Sequence, residues 1–341
     1  MHSHFFVKET GEWVNHVELG KWADAMIIAP ATSNTISKMA TGRCDNLLIA
    51  TYLSASCPIF FAPAMDLDMY KHPSTSNNIS RLIEFGHIEL PASEGELASG
   101  LVGKGRMCEP EDIFQFVSNH FEVLNSLAGK TILVNAGPTH EKIDPVRFIG
   151  NHSTGKMGKA IANTLACRGA NVELVLGPVE IHGLSPKINV TKITSAKEMF
   201  EACQTIFESC DAGILAAAVA DFTPVKYSNK KIKKRENDNL QLFMTRTPDV
   251  LLTLGKSKKE HQVLAGFALE THDEINNAQK KLDKKNLDFI VLNSMNDLDA
   301  GFAKDTNKIT IIEKNGKKHK FGTKSKKEVS VDIVNLLQNY L

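Results

Sequence analysis

Thr131-Ile132-Leu133-Val134-Asn135-Ala136-Gly137-Pro138-Thr139 reads as a buried β-strand that runs straight into a glycine turn. A doubly wound sheet places its phosphate-binding turn in this position. Outward from it, the alternation continues. A helix is expected over Met157 to Arg168, a strand over Val172 to Leu176, a helix over Ala196 to Glu208 and a strand over Gly213 to Val219. Thr247-Pro248-Asp249 supplies an N-cap and a proline at the first position of another helix. Further strands fall at Val263 to Ala268, Asp288 to Leu292 and Ile309 to Ile312, with a Lys-rich amphipathic helix from Glu274 to Lys285 and a closing helix from Lys327 to Tyr340. Nearer the start, Ala25 to Ala29 and Pro58 to Ala62 read as buried strands that end in the loops Ala29-Pro30-Ala31-Thr32 and Ala62-Pro63-Ala64-Met65. Repeated βαβ units of this kind predict an α/β protein with mostly parallel sheet, whose ligands bind at the carboxyl ends of the strands. Ahead of them, Phe5-Phe6-Val7-Lys8 leads to a helix before any convincing first strand.

The chain has 341 residues, and at about 150 per domain two domains are expected. The polar stretch Val117 to Ser126 places the boundary near residue 126, giving regions 1–126 and 127–341. With 42% hydrophobic and 23% charged residues the composition excludes a disordered or collagen-like chain. Lys and Arg number 40 against 39 Asp and Glu, so no global basic field exists for nucleic acid or an acidic membrane. Any anion site must be local. Apolar runs such as Ile214 to Ala220 fall far short of the about 20 residues that span a bilayer. Met1-His2-Ser3-His4 lacks the basic and apolar regions of a secretory signal, and six scattered cysteines form no CxxC pair. A cytoplasmic protein is expected, without a disulfide framework or zinc knuckle.

Several local patterns carry chemistry. Gly150-Asn151-His152-Ser153-Thr154-Gly155-Lys156-Met157 matches a phosphate loop until its last position, where Met157 cannot hold magnesium. It is either an anion-binding helix start or an ordinary loop before a helix. Lys230-Lys231-Ile232-Lys233-Lys234-Arg235 concentrates five cations near the carboxyl end of a sheet, as a polyphosphate site or as a solvated loop. Asp66 and Asp68 are a metal pair by residue type, although Pro63-Ala64-Met65 suggests a pocket wall. Ser99 to Met107 is glycine-rich and reads as a mobile lid or a turn. G-x-G-x-x-G is absent, which disfavours a dinucleotide-dependent oxidoreductase.

Taken together, these segments resemble the bifunctional coenzyme A biosynthesis family, in which phosphopantothenoylcysteine decarboxylase is fused to phosphopantothenate–cysteine ligase. The resemblance rests on Asp144-Pro145-Val146-Arg147-Phe148-Ile149 leading into Asn151-His152-Ser153-Thr154-Gly155-Lys156-Met157-Gly158, and on Ala217-Ala218-Val219-Ala220-Asp221-Phe222. It rests also on Lys231-Ile232-Lys233-Lys234, Gly266-Phe267-Ala268-Leu269-Glu270-Thr271 and Lys285-Asn286-Leu287-Asp288. It implies two doubly wound, Rossmann-like three-layer domains: a flavodoxin-like decarboxylase domain over 1–126 and a complete ligase domain over 127–341. The implied ligase joins 4′-phosphopantothenate to cysteine through an acyl-cytidylate, consuming CTP with magnesium and releasing pyrophosphate. Asn151 would contact the activated acyl group and Lys231 would serve the activation step. Asp221, Thr245, Arg246, Thr247, Pro248, Phe267, Lys281 and Lys285 fall at the family's CTP-binding positions, while the metal ligands stay unassigned.

For the first region the resemblance implies an FMN-dependent decarboxylase. His16 would be its active-site histidine and Ser99 would stand at the proton donor's position. Thr32, Ser33 and Asn34, within Ala29 to Thr35, would contact the flavin, and Met65, Asp66 and Met69 would meet the substrate carboxylate. Homo-oligomers through ligase dimers and decarboxylase trimers are implied, with small-molecule partners only. The sequence departs from the family at Asp66, usually asparagine; at Ser99, usually cysteine; and at Pro138, often glycine. A carboxylate at 66 would repel the substrate carboxylate unless protonated or turned away. The family's glycine-containing flavin loop and first βα unit have no counterpart, so an N-terminally truncated domain is expected. The alternative reading makes the first region a non-catalytic flavoprotein-like oligomerisation module attached to the ligase.

Overall fold

A computed structural model describes residues 5–6, 10–11, 13–97, 99–233, 240–270, 272–294 and 304–341. Val7, Lys8, Lys234, Arg235 and Thr271, all within stretches singled out above, lie outside the described residues. The chain divides into two compact units, Met1–Glu122 and Val123–Leu341.

The second unit is built on an eight-stranded sheet. Its order is Ile188–Lys192, Asn171–Leu176, Thr131–Ala136, Ala212–Leu215, Val263–Glu270, Phe289–Ser294, Ile309–Glu313 and Lys318–Lys320. The first six strands are parallel, and the last two join antiparallel. In chain order the parallel strands run 3-2-1-4-5-6, the doubly wound arrangement. Alternation along Thr131–Ala136 shows why both faces are covered. Ile132 and Val134 are buried with Ile161, Leu165, Ile333 and Leu337, on the side of helices Lys156–Cys167 and Lys326–Gln338. Leu133 is buried on the other side with Met199, Leu254 and Leu282, from helices Ala196–Phe207, Val250–Ser257 and Glu274–Lys284. A strand enclosed in this way has no polar face, which explains its continuous apolar run.

The first unit repeats the architecture on a smaller scale. Strands Met26–Ala31, Ile59–Pro63 and Ile88–Glu89 form a parallel sheet, with Met26 opposite Ile59 and Phe60 opposite Ile88. Phe61 is buried with Ile36, Met39, Ile49 and Leu82, and Phe60 with Leu90, Cys108 and Ile113. Consecutive phenylalanines therefore feed two separate cores on opposite faces.

Two local expectations are corrected. The strand expected through Val219 ends at Leu215, because the Asn135 side chain takes the Ala217 N–H at 2.8 Å and draws the chain out of the ladder. The helix expected from Thr247 begins at Val250, capped by Asp249, which accepts from the Leu252 N–H at 3.0 Å. The Thr247 hydroxyl instead donates to the Ala220 carbonyl at 2.6 Å. Val117 to Ser126, the polar stretch before the expected boundary, is mostly the second half of helix Pro110–Leu124. Ser99 to Met107 belongs to an antiparallel hairpin of Ser93–Glu96 and Val102–Arg106. The edge strand Ile188–Lys192 carried no apolar signal, since only its first residue is buried.

Burial sorts the cysteines. Cys44 and Cys167 are exposed, whereas burial pushes the Cys203 thiol up to about 12 and Cys210 up to about 11. A thiol reagent at neutral pH should label Cys44 and Cys167 rapidly, and Cys203 and Cys210 only after denaturation. Mass spectrometry of briefly labelled native protein checks this, and early modification of Cys203 would contradict the packing described. Among the described residues no helix is long and apolar enough to cross a membrane.

Candidate functional site

The chain turns in opposite directions from strands Thr131–Ala136 and Ala212–Leu215, which are neighbours, so the crevice at their carboxyl ends is the topological switch point of the sheet. The opening stretch shapes this crevice. Gly137 adopts φ +84, a conformation that glycine takes without strain. Beyond it the Pro138 carbonyl passes so close to Gly177 that a Cβ there would lie 1.9 Å from the oxygen. Asn135 and Thr139, both buried, accept from the Ala217 and Ala220 N–H groups at 2.8 and 3.0 Å. These two side chains fix the path of Ala217 to Asp221. Gly158 fills the role of a third fingerprint glycine: a Cβ there would meet the Ala136 Cβ at 2.4 Å, so only glycine lets the helix approach the strand.

A cavity of about 560 Å³ opens at the switch point. Asn135 and Leu215 form its floor, and Asp221, Arg246, Thr247, Pro248, Phe267, Lys281 and Lys285 line it, so every expected nucleotide contact except Thr245 is brought together. Lys284 joins them in the lining, and sequence reading missed the run Asp249 to Leu252, where the helix Val250–Ser257 starts. The capping signal at Asp249 could have found them, because a helix start at a strand end is an anion site by geometry. The lining holds Arg246, Lys281, Lys284 and Lys285 against the carboxylates of Asp221 and Asp249. The Lys281 ammonium donates to the Phe267 carbonyl at 2.7 Å, and Lys285 to Asp249 at 3.0 Å. Burial works against ionised Asp249, but the Leu252 N–H and the Lys285 ammonium outweigh it and hold its pKa below the ordinary carboxylate value.

Asn151 and Lys231 are not among the residues lining this cavity. Asn151 is exposed, its amide donating to the Val219 carbonyl at 2.9 Å. Lys231 and Lys233 are exposed on a segment bound to the turn of Ile143 to Arg147, whose residues line a second cavity of about 340 Å³. The near-miss phosphate loop ends in helix Lys156–Cys167, with Gly155 at φ 69 as its N-cap and Lys156 paired to Asp305 at 2.6 Å. It also lies outside the lining of the large cavity.

In the first unit, Thr32 caps helix Ser33–Thr41, and Asp66 caps Leu67–Lys71. The Ala64 N–H donates to the Ala31 carbonyl at 3.0 Å, so the two loops lie side by side at the carboxyl edge of the sheet. Thr32, Ser33 and Asn34 are thereby brought near Met65, Asp66 and Met69. The Ser93–Arg106 hairpin packs on the second loop: Met65 donates to the Gly105 carbonyl at 3.0 Å, and a Cβ on Gly105 would lie 2.5 Å from the Met65 oxygen. Ser99 sits exposed at the hairpin turn, next to Gly100 at φ +82. The Asp66 carboxylate accepts from the Leu67 N–H at 2.7 Å, which turns one oxygen inward on its own helix. His16 opens helix His16–Trp22 in edge-on contact with the rings of Phe5 and Trp13, with Nδ1 buried and without a hydrogen-bond partner among the described residues.

Among the described residues no three His, Cys, Asp or Glu side chains cluster closely enough to hold a metal ion, Asp66 and Asp68 included.

Comparison with known proteins follows the two units. The family described as "DNA/pantothenate metabolism flavoprotein C-terminal domain" matches residues 127–341, and the family described as "Flavoprotein" matches residues 2–122. A "Cysteine/Cysteine sulfinic acid decarboxylase" of an unknown prokaryotic organism is 53% identical over 334 residues, covering 97% of this chain and 93% of that protein. The "Coenzyme A biosynthesis bifunctional protein CoaBC" of Bacillus subtilis (strain 168) is 44% identical over 331 residues, covering 96% of this chain and 81% of that one. The crystal structure of the C-terminal domain of a protein with the same name superposes with a TM-score of 0.54 at 37% identity, covering 63% of this chain and 97% of that structure.

Proposed function

The chain belongs to the family of bifunctional coenzyme A biosynthesis proteins, a Flavoprotein domain followed by a pantothenate-metabolism domain, and from that premise we propose that its second unit ligates 4′-phosphopantothenate to cysteine at the expense of CTP. The observation that carries this reading is the switch-point cavity, where four cationic side chains and a helix start surround a volume of about 560 Å³. Lys281, Lys284, Lys285 and Arg246 draw in a triphosphate, the first N–H groups of helix Val250–Ser257 donate to its oxygens, and Phe267 offers a flat apolar wall. Among the described residues magnesium finds no cage of side chains. That fits a cation that keeps its waters and arrives on the nucleotide phosphates, with Asp221 the lining carboxylate that makes no side-chain hydrogen bond to a described residue.

The substrate carboxylate attacks the α-phosphorus of CTP, forming a carboxylate–phosphorus bond as the bond to pyrophosphate breaks. Lys231 stabilises the negative charge that builds on the phosphate oxygens. Asn151, an uncharged amide, orients the acyl group for attack by the cysteine amine, which expels CMP. No enzyme nucleophile is needed. Protein supplied with 4′-phosphopantothenate, CTP and magnesium should release pyrophosphate in a single burst and turn over continuously only when cysteine is added, and folded protein that releases none would sink the ligase reading.

For the first unit we propose decarboxylation with FMN. The exposed start of helix Ser33–Thr41, with the Thr32 and Ser33 hydroxyls at a strand's carboxyl end, fits a flavin phosphate. Bound flavin would supply the two-electron chemistry that lets the carboxylate leave. A second reading concerns the substrate. The 53%-identical relative bears the name of a decarboxylase of cysteine and cysteine sulfinic acid, and Asp66 puts a carboxylate in the substrate loop, suited to the α-ammonium group of a free amino acid. Measuring carbon dioxide from phosphopantothenoylcysteine, cysteine and cysteine sulfinic acid in parallel decides between the readings. Turnover of the acylated substrate alone would remove the second one, and a preparation that binds no flavin and releases no carbon dioxide would remove both.

A further inference from the structure

The segment that carries Lys231 is bound to the turn of Ile143 to Arg147 at three points. The Ser228 N–H donates to the Ile143 carbonyl at 3.0 Å. The Ile232 N–H donates to Asp144 Oδ2 at 3.1 Å, and Arg147 Nη2 donates to the Ile232 carbonyl at 2.7 Å. Both main-chain groups of the residue after Lys231 are thus held, one by each member of an ion pair.

The pair is itself tightly built. Asp144 is 1% exposed and also accepts from the Val146 and Arg147 N–H groups at 2.8 and 2.9 Å and from Arg147 Nε and Nη2 at 3.0 and 2.5 Å. The Arg147 guanidinium holds its carboxyl well below the usual carboxylate range; burial opposes this, and the Val146, Ile232 and Arg147 N–H groups assist. A buried carboxylate is a poor source of stability compared with apolar packing, so its fivefold use as an acceptor points to a positional role. By contrast, the Lys231 side chain is exposed and its ammonium makes no ion pair or hydrogen bond with any described residue. Nothing on the side chain fixes where that charge stands. Its backbone does.

We propose that Asp144 and Arg147 form a clasp that positions Lys231 by holding both peptide groups of Ile232. They are positioning residues for the activation step, and the proposal rests on the reading of Lys231 given above. A catalytic cation displaced by about 1 Å loses on the order of 10²-fold in rate, even though every catalytic group is still present.

The test uses the full chain and two readouts. In Asp144→Asn the Ile232 N–H loses its charged acceptor, and trypsin should cut the Lys231–Ile232 bond about tenfold faster than in the wild type, since the rate of cutting follows the local opening of that segment. The kcat for pyrophosphate release should fall by roughly 10²-fold with the KM for CTP unchanged, the pattern of a lost transition-state interaction. Arg147→Lys retains a charge for Asp144 but cannot also reach the Ile232 carbonyl. It should show the same pattern in milder form, and it serves if Asp144→Asn does not fold. Cleavage at Lys231–Ile232 as slow as in the wild type in both variants would overturn the clasp. Faster cleavage with unchanged kcat, or a raised KM with unchanged kcat, would overturn its positioning role. If the wild type releases no pyrophosphate the ligase reading fails, while the cleavage rates still decide whether the clasp exists.

Discussion

Lys231→Gln should lower pyrophosphate release by about 10²–10³-fold while leaving the thermal melting curve where it is. The size of the effect follows from the role proposed for the residue. Charge develops on phosphate oxygens only as the carboxylate attacks, so a cation fixed there lowers the barrier rather than the ground state. Stability should be untouched because the side chain is exposed and bonded to no described residue. Glutamine keeps the length and most of the solvation and removes only the charge. A pyrophosphate-coupled assay beside a melting scan measures both, and turnover within a few-fold of the wild type would end the assignment of Lys231.

Gly255→Ala should be the most damaging single methyl group in the second unit. A Cβ at Gly255 would lie 1.8 Å from the Lys285 carbonyl oxygen and 2.9 Å from its carbon. The obstacle is main chain, which cannot rotate aside as a side chain can. Asn286 reinforces the contact by donating its side-chain amide to the Gly255 carbonyl at 2.9 Å. Helices Val250–Ser257 and Glu274–Lys284 therefore meet backbone to backbone beside the switch-point cavity. Overpacking of this kind costs about 3 kcal/mol. In a unit of this size that corresponds to a fall in Tm of roughly 6–12 °C. The variant should also bind CTP more weakly, because parting these helices separates Asp249 from Lys285, now 3.0 Å apart. Calorimetry and the KM for CTP check the two halves, and a wild-type melting temperature would show that the helices are not in such close contact.

Much of the fold was legible because buried parallel strands must be apolar on both faces. Thr131 to Asn135, Val172 to Leu176 and Val263 to Ala268 were read within a residue or two of their observed limits, except that the last runs on to Glu270. Where a side chain rather than a neighbouring strand satisfies the backbone, the reading failed, as at Ala217, whose N–H goes to Asn135. The edge strand Ile188–Lys192 escaped for the opposite reason: its pairing depends on a neighbour, Asn171–Leu176, and its own residues face water.

The site divides in the same way. Motif and resemblance named the residues Asp221, Arg246, Thr247, Phe267, Lys281 and Lys285, far apart in sequence, without saying that they share one cavity. Six strands and their helices had to assemble in the order 3-2-1-4-5-6 before those residues could converge at a single switch point. The cation run at Lys230 was visible as charge alone. That its backbone is held by Asp144 and Arg147, more than eighty residues earlier, is a long-range hydrogen-bonding fact that no local pattern carries.

By itself, then, the sequence determined the alternation of strands and helices, because burial and helix periodicity are written residue by residue. It also determined the chemical kinds of group available. Only the tertiary structure decided which cations meet at one cavity and which stand apart from it. Convergence depends on strand order and on the close approaches at Gly158, Gly177 and Gly255, and those are properties of packed pairs rather than of any single segment.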